Sequence, residues 1–323
     1  MSRKPPTPKL AVNWHMLERC NYRCKFCFAK FKGIPELCRD LEKSKTIIRK
    51  LHDWGVGKIN FTGGEPLLCK NLGELIKYAK ELGIATSIVT NGYYFPEELG
   101  RRFLVEYGKY IDWIGMSLDS GREETEAALG RGYGDHVERV RTAVRLIRKL
   151  HPHIGVKINT VVTKLNWQED MHGIIEELSP DRWKVFQLKI VPEINEGSRS
   201  LAITEEQFRE FIERHRDLNP IAEDNDLMTA SYLMMDPYGR FYDEWTQAHN
   251  PRPSLLEADV EKSLAGLKFD VSKFILRGGI YNWKGLERRS KRGSSSEAFS
   301  LLTLENQVKS VYGSHKEDDS NIL

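Results

Sequence analysis

One stretch near the N-terminus indicates the fold most directly: Lys58-Ile59-Asn60-Phe61-Thr62-Gly63-Gly64-Glu65-Pro66. Residues 58–61, in which Ile59 and Phe61 are apolar, are predicted to form a β-strand. Two glycines follow, and they permit a sharp turn in which the backbone approaches a ligand closely. An amphipathic helix is then predicted over residues 72–82. The stretch therefore belongs to a strand–turn–helix unit.

The alternation of short apolar runs with longer amphipathic runs extends from residue 10 to about residue 190. Strands are predicted over residues 10–15, 58–61, 85–89, 113–117, 155–161 and 183–188. Helices are predicted over residues 41–54, 72–82, 96–107, 136–150, 167–178 and 204–216, the last with Thr204 as its N-cap. Strands that alternate with helices predict parallel βαβ units. We therefore expect an α/β fold, a partial (βα)6 TIM barrel with its chemistry on the loops that follow the strands.

The rest of the chain predicts additions to this barrel. We expect an N-terminal tail over residues 1–9, the barrel over 10–220, a C-terminal extension that caps the active site over 221–287, and a disordered tail over 288–323. Within the extension, residues 227–235 and 240–243 predict the two strands of a hairpin, joined by the turn Asp236-Pro237-Tyr238-Gly239.

Charge and hydropathy argue against two classes of protein. The 323 residues carry 49 lysines and arginines against 46 acids, and the two signs are interleaved. That balance does not suit a duplex-binding surface, although it allows a local basic pocket. No apolar run approaches the roughly 18 residues of a membrane helix. With five cysteines and no secretion signal, we expect a cytoplasmic protein that binds neither nucleic acid nor membranes.

Three cysteines follow the first predicted strand with the spacing Cys-x3-Cys-x2-Cys: Cys20, Cys24 and Cys27. Three thiolates on one loop can hold three corners of a [4Fe–4S] cluster and leave one iron open to a small molecule. The alternative is a zinc loop, which needs a fourth ligand. That ligand would have to be Cys38, Cys69 or His15. None of these completes a familiar second pair.

The cysteine spacing, the aromatic Phe26 before the third cysteine and the Gly-Gly-Glu-Pro turn together resemble the radical S-adenosylmethionine superfamily. A narrower resemblance covers about residues 10–285. It is carried by Arg-Trp-Lys-Val-Phe-Gln at residues 182–187 and by Arg277-Gly278-Gly279, and it points to the viperin family, specifically to its microbial members. Animal members begin with a long helix that binds membranes, whereas this chain begins almost at its first strand, so we do not expect membrane binding.

The resemblance implies an activity. A [4Fe–4S] cluster and S-adenosylmethionine would generate a 5′-deoxyadenosyl radical. The radical would remove the C4′ hydrogen of a ribonucleoside triphosphate (CTP, UTP or GTP). Loss of the 3′-hydroxyl would then give the 3′-deoxy-3′,4′-didehydro analogue, an antiviral terminator of RNA chains. A flavodoxin-like or ferredoxin-like protein would supply electrons. The sequence does not predict which base is preferred.

The resemblance also assigns site residues. The cluster ligands are Cys20, Cys24 and Cys27. The residues around S-adenosylmethionine are Phe26, Gly63, Gly64, Glu65, Thr90, Asn91, Ser117 and Arg131. The substrate residues are Asn13, His15, Lys157, Asn159, Arg182, Lys184, Tyr232 and Arg277. Tyr232 is also assigned the catalytic role of delivering the last hydrogen or proton.

Strand alternation supports a pocket for an anion independently of the resemblance. Lys157 and Asn159 alternate along the fifth predicted strand, so both face one side of the sheet. Arg182 and Lys184 alternate along the sixth in the same way. A position that lines a barrel would otherwise be apolar, and a triphosphate needs several converging cations. The structural alternatives are solvated lysines at a sheet edge and a packing role for Tyr232.

Two other functions stay open from the sequence. A radical enzyme that acts on a peptide or on another cofactor would share the cysteine loop, but such enzymes often carry further cysteines near the C-terminus. Here no cysteine follows Cys69. A non-enzymatic zinc-loop binding protein would be colourless, whereas a [4Fe–4S] protein is brown.

Overall fold

The structure is a computed structural model that describes residues 9–243 and 252–284. Its strands are β1 (Ala11–His15), β2 (Lys58–Thr62), β3 (Ala85–Thr90), β4 (Trp113–Ser117), β5 (Gly155–Val162), β6 (Arg182–Gln187), β7 (Ile221–Glu223), β8 (Leu233–Met235) and β9 (Phe241–Tyr242). Its α-helices are α1 (Leu41–Trp54), α2 (Leu72–Glu81), α3 (Glu98–Tyr107), α4 (Glu123–Ala128), α5 (His136–Leu150), α6 (His172–Leu178), α7 (Glu205–Arg214), α8 (Asn225–Met228), α9 (Val260–Leu264) and α10 (Val271–Leu276). Short 3-10 helices occupy Leu37–Arg39, Pro66–Leu68, Gly108–Tyr110, Glu196–Leu201 and Arg216–Leu218.

All nine strands belong to one sheet in the order β7-β6-β5-β4-β3-β2-β1-β8-β9. Every neighbouring pair is parallel except β8 and β9, which form an antiparallel hairpin. Over the described residues the sheet stays open, with β7 and β9 as its edges. Parallel strands that alternate with helices around an open curved sheet form a partial barrel, and the predicted fold class is confirmed.

The two faces of the sheet differ because side chains alternate along each strand. On β1, Val12 and Trp14 are fully buried in the main apolar core. Asn13 and His15 point the other way and line the inner cavity. The same alternation on the neighbouring strands places an apolar face against the helices and a polar face toward the cavity.

Side-chain caps fix the ends of several helices. The side chain of Asp40 accepts a hydrogen bond from Lys43 N at the start of α1, and Gly55 ends that helix at φ 101°. Thr204 and Gln207 form a reciprocal capping box at the start of α7. Each such cap contributes about 1 kcal/mol. The prediction of Thr204 as an N-cap is confirmed.

The predicted helix over residues 167–178 is wrong in its first turn, because α6 begins only at His172. The side chain of Asn166 accepts from Thr163 N at 2.6 Å and donates to Asp119 O at 2.6 Å. Side-chain bonds of this kind offer the backbone an alternative to helix. The sequence pattern of apolar residues does not show that competition.

The predicted strand over residues 227–235 is also wrong in part. Residues Asn225–Met228 form α8, whose N-cap Asp224 accepts from Leu227 N at 2.7 Å, and only Leu233–Met235 is strand. The hairpin turn itself is confirmed by the Asp236 N to Arg240 O hydrogen bond of 2.9 Å. The sheet also contains β7, which the sequence did not predict, and the hairpin strands β8 and β9 extend the six predicted barrel strands.

One segment of the C-terminal region covers the N-terminal ends of the barrel strands. We call residues 278–282 the floor segment. Gly278 O accepts from Arg182, the first residue of β6, at 2.9 Å, and Asn282 O accepts from Trp113, the first residue of β4, at 3.2 Å. The floor segment therefore crosses the N-terminal ends of the strands. The tail predicted over 288–323 lies outside the described residues, and so do residues 1–8.

Among the described helices, none combines the length and the apolar character that a membrane crossing requires.

Candidate active site

A single cavity of about 340 Å³ lies on the inner face of the sheet. It collects side chains and loops from every part of the barrel. All the site residues predicted from the sequence line it, with the exception of Glu65. Residues that are far apart in the chain thus meet at one place, as expected for loops and strand ends of a parallel barrel.

The parallel register arranges the cavity wall in levels. At the N-terminal ends of the strands lie Lys58 on β2 and the paired residues Lys157 and Arg182 on β5 and β6. Two residues further along each strand, on the same face, Asn13 pairs with Asn60, and Asn159 pairs with Lys184. The cysteine loop lies at the opposite, C-terminal end of the strands. The cavity therefore has a cationic floor, an amide-rich middle and a sulfur-bearing top.

The cysteine loop is held by backbone and side-chain hydrogen bonds. The guanidinium of Arg23 donates to Cys20 O at 2.7 Å, and Lys25 N donates to Leu129 O at 2.9 Å. The sulfur of Cys20 accepts from Asn91 Nδ2 at 3.7 Å. Burial raises the pKa of the thiols of Cys20, Cys24 and Cys27. A metal ion that binds the sulfurs would reverse this effect, because it stabilises the thiolate.

A zinc loop would need three sulfurs gathered around one ion together with a fourth ligand. Three sulfurs bound to one tetrahedral zinc lie about 3.8 Å apart, given a Zn–S bond of about 2.3 Å. Among the described residues, the cysteine sulfurs do not come within 4.8 Å of one another as a group of three. The proposed fourth ligands are also engaged elsewhere. Cys69 donates to Cys38 O in the core, and His15 Nδ1 lies 2.7 Å from the Tyr242 hydroxyl.

The glycines of the Gly-Gly-Glu-Pro turn allow it to pack directly against the cysteine loop. A Cβ atom on Gly64 would lie 2.1 Å from Arg19 O, and one on Gly63 would lie 2.7 Å from Leu17 O. Gly64 N donates to Leu17 O at 2.6 Å, and Glu65 N donates to Arg19 O at 2.8 Å. The glycines were predicted to allow close approach to a ligand, and the structure shows that they allow close approach to the backbone that leads into the cysteine loop.

Glu65 joins the loops after β2 and β3 from behind the cavity. Its fully buried carboxylate accepts from Thr90 Oγ1 at 2.8 Å, Asn91 N at 2.9 Å and Leu67 N at 3.1 Å. Burial raises the pKa of this carboxyl to about 7. The hydroxyl of Thr90 is therefore committed to Glu65, while its side chain still borders the cavity.

Arg131 is held by two buried carboxylates. Its Nε lies 2.6 Å from Asp119 Oδ2 and 3.7 Å from Glu126 Oε2. Its guanidinium also lies 5.5 Å from the centre of the Phe26 ring. The arginine is thus fixed at the upper cavity wall beside the cysteine loop, and Ser117 lines the same cavity.

His15 is buried among aromatic side chains. Its ring centre lies 5.2 Å from that of Phe31 and 5.8 Å from that of Phe28, both on the cysteine loop. Burial lowers the pKa of this histidine to about 3, so the ring is neutral. His15 therefore braces the cysteine loop while one edge of the residue borders the cavity.

The cavity floor concentrates cations around one tyrosine. The ammonium of Lys58 contacts the Tyr281 hydroxyl, Lys157 Nζ lies 2.5 Å from the same oxygen, and the Arg182 guanidinium lies 4.0 Å from the ring centre. Burial lowers the pKa of Lys58 to about 7 and that of Lys157 well below its usual value. No described carboxylate pairs with these three cations. Desolvated cations without an acidic partner indicate a site for an anion.

The sequence analysis did not identify two residues of the cavity floor, Lys58 and Tyr281, as site residues. Lys58 faces the same side of β2 as Asn60, so the alternation argument used for Lys157 would also have identified it. Tyr281 carries no such signal, because it lies on an irregular segment whose path over the strand ends is a tertiary feature.

The middle level contains Tyr232 and Arg277. The Arg277 guanidinium lies 3.6 Å from the centre of the Tyr232 ring and donates to Ser231 O at 3.0 Å. The Tyr232 hydroxyl accepts from Lys184 Nζ at 3.1 Å. Nearby, Asn60 Nδ2 donates to Asn13 Oδ1 at 2.8 Å. The residues predicted for the substrate therefore lie at the floor, in the case of Lys157 and Arg182, or between the floor and the cysteine loop.

A second group of possible metal ligands lies outside this cavity: Asp170, His172 and His215. The ring nitrogens of His215 are already engaged, since Nε2 accepts from Met171 N at 2.9 Å and Nδ1 lies 2.8 Å from Phe211 O. His172 lies between two carboxylates, which raise its pKa, and this favours the imidazolium form. The group is thus an ion-pair cluster of the fold.

Known proteins share both the sequence and the fold. The chain is 40% identical over 282 residues to an S-adenosylmethionine-dependent nucleotide dehydratase of Lacinutrix mariniflava, covering 84% of this chain and 58% of that relative, which is less than two thirds of its length. It is 40% identical to the enzyme of the same name from Flammeovirga pacifica, covering 85% of this chain and 96% of the relative. A relative of that name from Danio rerio is 37% identical over 87% of this chain and 80% of its own length.

The structure of Streptococcus suis SuiB bound to S-adenosylmethionine superposes with a TM-score of 0.63 at 19% identity, over 92% of this chain and 71% of that one. At this identity the likeness concerns the fold. Residues 14–178 match the Radical SAM superfamily. The chain therefore belongs to the radical SAM superfamily and, within it, to the family of S-adenosylmethionine-dependent nucleotide dehydratases.

Proposed function

We propose that this enzyme converts a ribonucleoside triphosphate to its 3′-deoxy-3′,4′-didehydro analogue, which would terminate RNA chains and serve antiviral defence. One observation carries the proposal: a single cavity joins a three-cysteine loop at its top to a group of buried cations at its floor. The family's cofactors are a [4Fe–4S] cluster and S-adenosylmethionine, which together supply a 5′-deoxyadenosyl radical when bound.

The upper cavity fits these cofactors. Cys20, Cys24 and Cys27, which all line the cavity, would hold the cluster. The residues proposed to border S-adenosylmethionine are Phe26, Gly63, Gly64, Thr90, Asn91, Ser117 and Arg131. Glu65 would act from behind, by fixing the loops after β2 and β3.

The floor would bind the triphosphate. Lys58, Lys157 and Arg182 at the floor and Arg277 at the level above present positive charge to the cavity, and the described carboxylates leave all four without an ion pair. Each hydrogen bond from such a cation to a phosphate oxygen contributes about 1.5–3 kcal/mol. Binding the phosphates at the floor would leave the ribose at the level of Asn13, Asn60 and Asn159, below the cofactor site.

That placement gives the middle residues a chemical role. Removal of the C4′ hydrogen is followed by departure of the 3′-hydroxyl, which needs a proton to leave as water. Tyr232 carries the hydroxyl group at this level, and the Lys184 ammonium at 3.1 Å can replace its proton. One electron then completes the double bond. Tyr232 is therefore the proposed proton donor.

The electrons would come from a small acidic protein of the flavodoxin or ferredoxin type. Residues 18–39, which include the cysteine loop, carry six lysines and arginines and only two glutamates. Arg23, Lys25, Lys30 and Lys32 of this segment are exposed. An acidic protein would be attracted to this surface, and the attraction would weaken with added salt.

Substrate-dependent formation of 5′-deoxyadenosine tests the proposal. The anaerobically reconstituted and reduced enzyme is offered S-adenosylmethionine and each of CTP, UTP, GTP and ATP. We expect cleavage to depend on at least one of them and to yield the dehydrated nucleotide. Equal background cleavage with all four would refute the proposal. Lys157→Gln should raise the KM for the nucleotide without changing the cluster absorbance, whereas the exposed control Lys109→Gln should change neither.

A further inference from the structure

Glu223 is a fully buried carboxylate behind the middle level of the cavity. It ends β7, which pairs with β6 so that Ile221 lies opposite Lys184. Residues two apart on a strand share a face, so the side chain of Glu223 leaves the sheet on the same side as that of Lys184. One oxygen of Glu223 contacts the Lys184 ammonium, and the other accepts from the Tyr232 hydroxyl. Glu223, Lys184 and Tyr232 therefore form a closed triangle of polar contacts.

A carboxylate at this place opposes the binding of an anionic substrate. Like charges repel, and the effect is strong where water is excluded. Among the described residues, Glu223 is the acid that forms an ion pair with one of the cations assigned to the substrate, namely Lys184. Its presence is therefore not explained by nucleotide affinity. The two groups that it does contact, Lys184 and Tyr232, are those placed to deliver a proton at the ribose.

We propose that Glu223 is a positioning residue for the dehydration step, holding Lys184 and Tyr232 as a unit that gives a proton to the departing 3′-hydroxyl. This inference rests on the proposed function. After hydrogen removal at C4′, the C3′–O bond breaks, and the hydroxyl group leaves as water with the proton of Tyr232. The Tyr232 oxygen takes a proton from the Lys184 ammonium. One electron from the flavodoxin-type or ferredoxin-type donor completes the C3′=C4′ bond, so that charge and atoms balance.

The negative charge of Glu223 matters as well as its shape. Burial lowers the pKa of Lys184 to about 8, and the charge of Glu223 opposes that shift. Arg277 and Arg182 lower the pKa of Lys184 further, and Lys58 and Lys157 are two more cations that interact with Lys184 across the cavity. Without Glu223, Lys184 would therefore lose its proton at a lower pH. A smaller fraction of Lys184 would then carry the proton that replenishes Tyr232.

The replacement Glu223→Gln keeps the size of the side chain and removes its charge. We expect the holoenzyme variant to bind the nucleotide at least as tightly as the wild type in calorimetry. We also expect nucleotide-dependent 5′-deoxyadenosine to form, because hydrogen removal precedes the step that Glu223 serves. The ratio of dehydrated nucleotide to 5′-deoxyadenosine should fall at least tenfold. The alkaline limb of product formation should move to lower pH.

Two further variants separate this role from a general structural one. Tyr232→Phe should lower the same ratio, and the double variant should be no worse than the more impaired single variant, because residues that act as a unit are not additive. Glu223→Asp keeps the charge and should keep the position of the alkaline limb. Glu177→Gln, on the exposed ion-pair surface of α6, is the control and should leave the ratio unchanged.

An unchanged ratio and pH profile in Glu223→Gln would overturn the proposal. If Glu223→Gln is unfolded, a shifted alkaline limb in Glu223→Asp would overturn it instead. A wild-type enzyme that forms no 5′-deoxyadenosine with any nucleotide would refute the proposed function itself. That failure is distinguishable, because it concerns the wild type and not the variants.

Discussion

Nucleotide affinity is expected to fall as the pH rises through 7, because the cavity floor is built from buried lysines. The pKa of Lys58 is lowered from 10.5 to about 7, first by burial and then by neighbouring cations, among them Lys184 and Arg182. A bound phosphate would restore the charged form. Binding should therefore take up protons, and its full strength should be present below the lowered pKa and be lost above it.

The size of the effect follows from that pKa. If Lys58 stays charged in the complex and titrates with this pKa in the free enzyme, one such group weakens binding about 25-fold between about pH 6.5 and about pH 8.5, or about 2 kcal/mol. Lys157, whose pKa is also lowered chiefly by burial, should add to the slope. Titration of the nucleotide alone should change the affinity little over this range, because its terminal phosphate is mostly ionised above about pH 7. The measured loss of affinity with pH should therefore come mainly from the lysines.

Isothermal titration calorimetry of the unreduced holoenzyme can measure this dependence. Titrations in two buffers with different protonation enthalpies at each pH count the protons taken up. Lys58→Met should bind more weakly at about pH 6.5 and show a shallower slope. The corresponding nucleoside, which lacks phosphates, should show little pH dependence. Affinity that is flat or rises with pH, or an identical slope in Lys58→Met, would refute the reasoning.

Two further predictions concern the top of the cavity. Gly64→Ala places a Cβ atom 2.1 Å from Arg19 O, so the variant should lose cluster absorbance and several °C of thermal stability. The control Gly173→Ala, which has open space around the new Cβ atom, should lose neither. Retention of the cluster in Gly64→Ala would contradict the packing described here. Cys24→Ser should abolish the stable absorbance of the cluster and S-adenosylmethionine cleavage, while Cys69→Ser, a change in the core, should keep both. Iron analysis, absorbance spectra and a cleavage assay compare the two variants. Equal losses in both would contradict the ligand assignment.

The sequence predicted the barrel because its evidence is local and repeated. Apolar runs with period two and helices with period 3.6 are visible without tertiary information. The parallel register then aligns the strand positions, so the alternation along the strands was enough to predict that Lys157 and Lys184 share one pocket. The cysteine loop and the two glycines after β2 are also contiguous signals.

The features that the sequence missed depend on tertiary contacts. Glu223 lies in a strand of three residues, too short for a periodic pattern. Tyr281 meets Lys58 across 223 positions of the chain. Asn166 delays the start of α6 through hydrogen bonds to Thr163 and Asp119, which hydropathy does not report. Each of these features depends on contacts with residues distant in the sequence or on polar contacts, and the hydrophobic pattern shows neither.

The central claim is that the phosphates at the cavity floor place the ribose C4′ hydrogen beneath the radical source at the top. Transfer of deuterium from the nucleotide tests it most directly. The preferred triphosphate carrying deuterium at C4′ is incubated with the reduced enzyme and S-adenosylmethionine, and the 5′-deoxyadenosine is examined by mass spectrometry. We predict that the label appears in 5′-deoxyadenosine and that a label at C3′ does not. Unlabelled 5′-deoxyadenosine from the C4′-deuterated nucleotide would contradict the account.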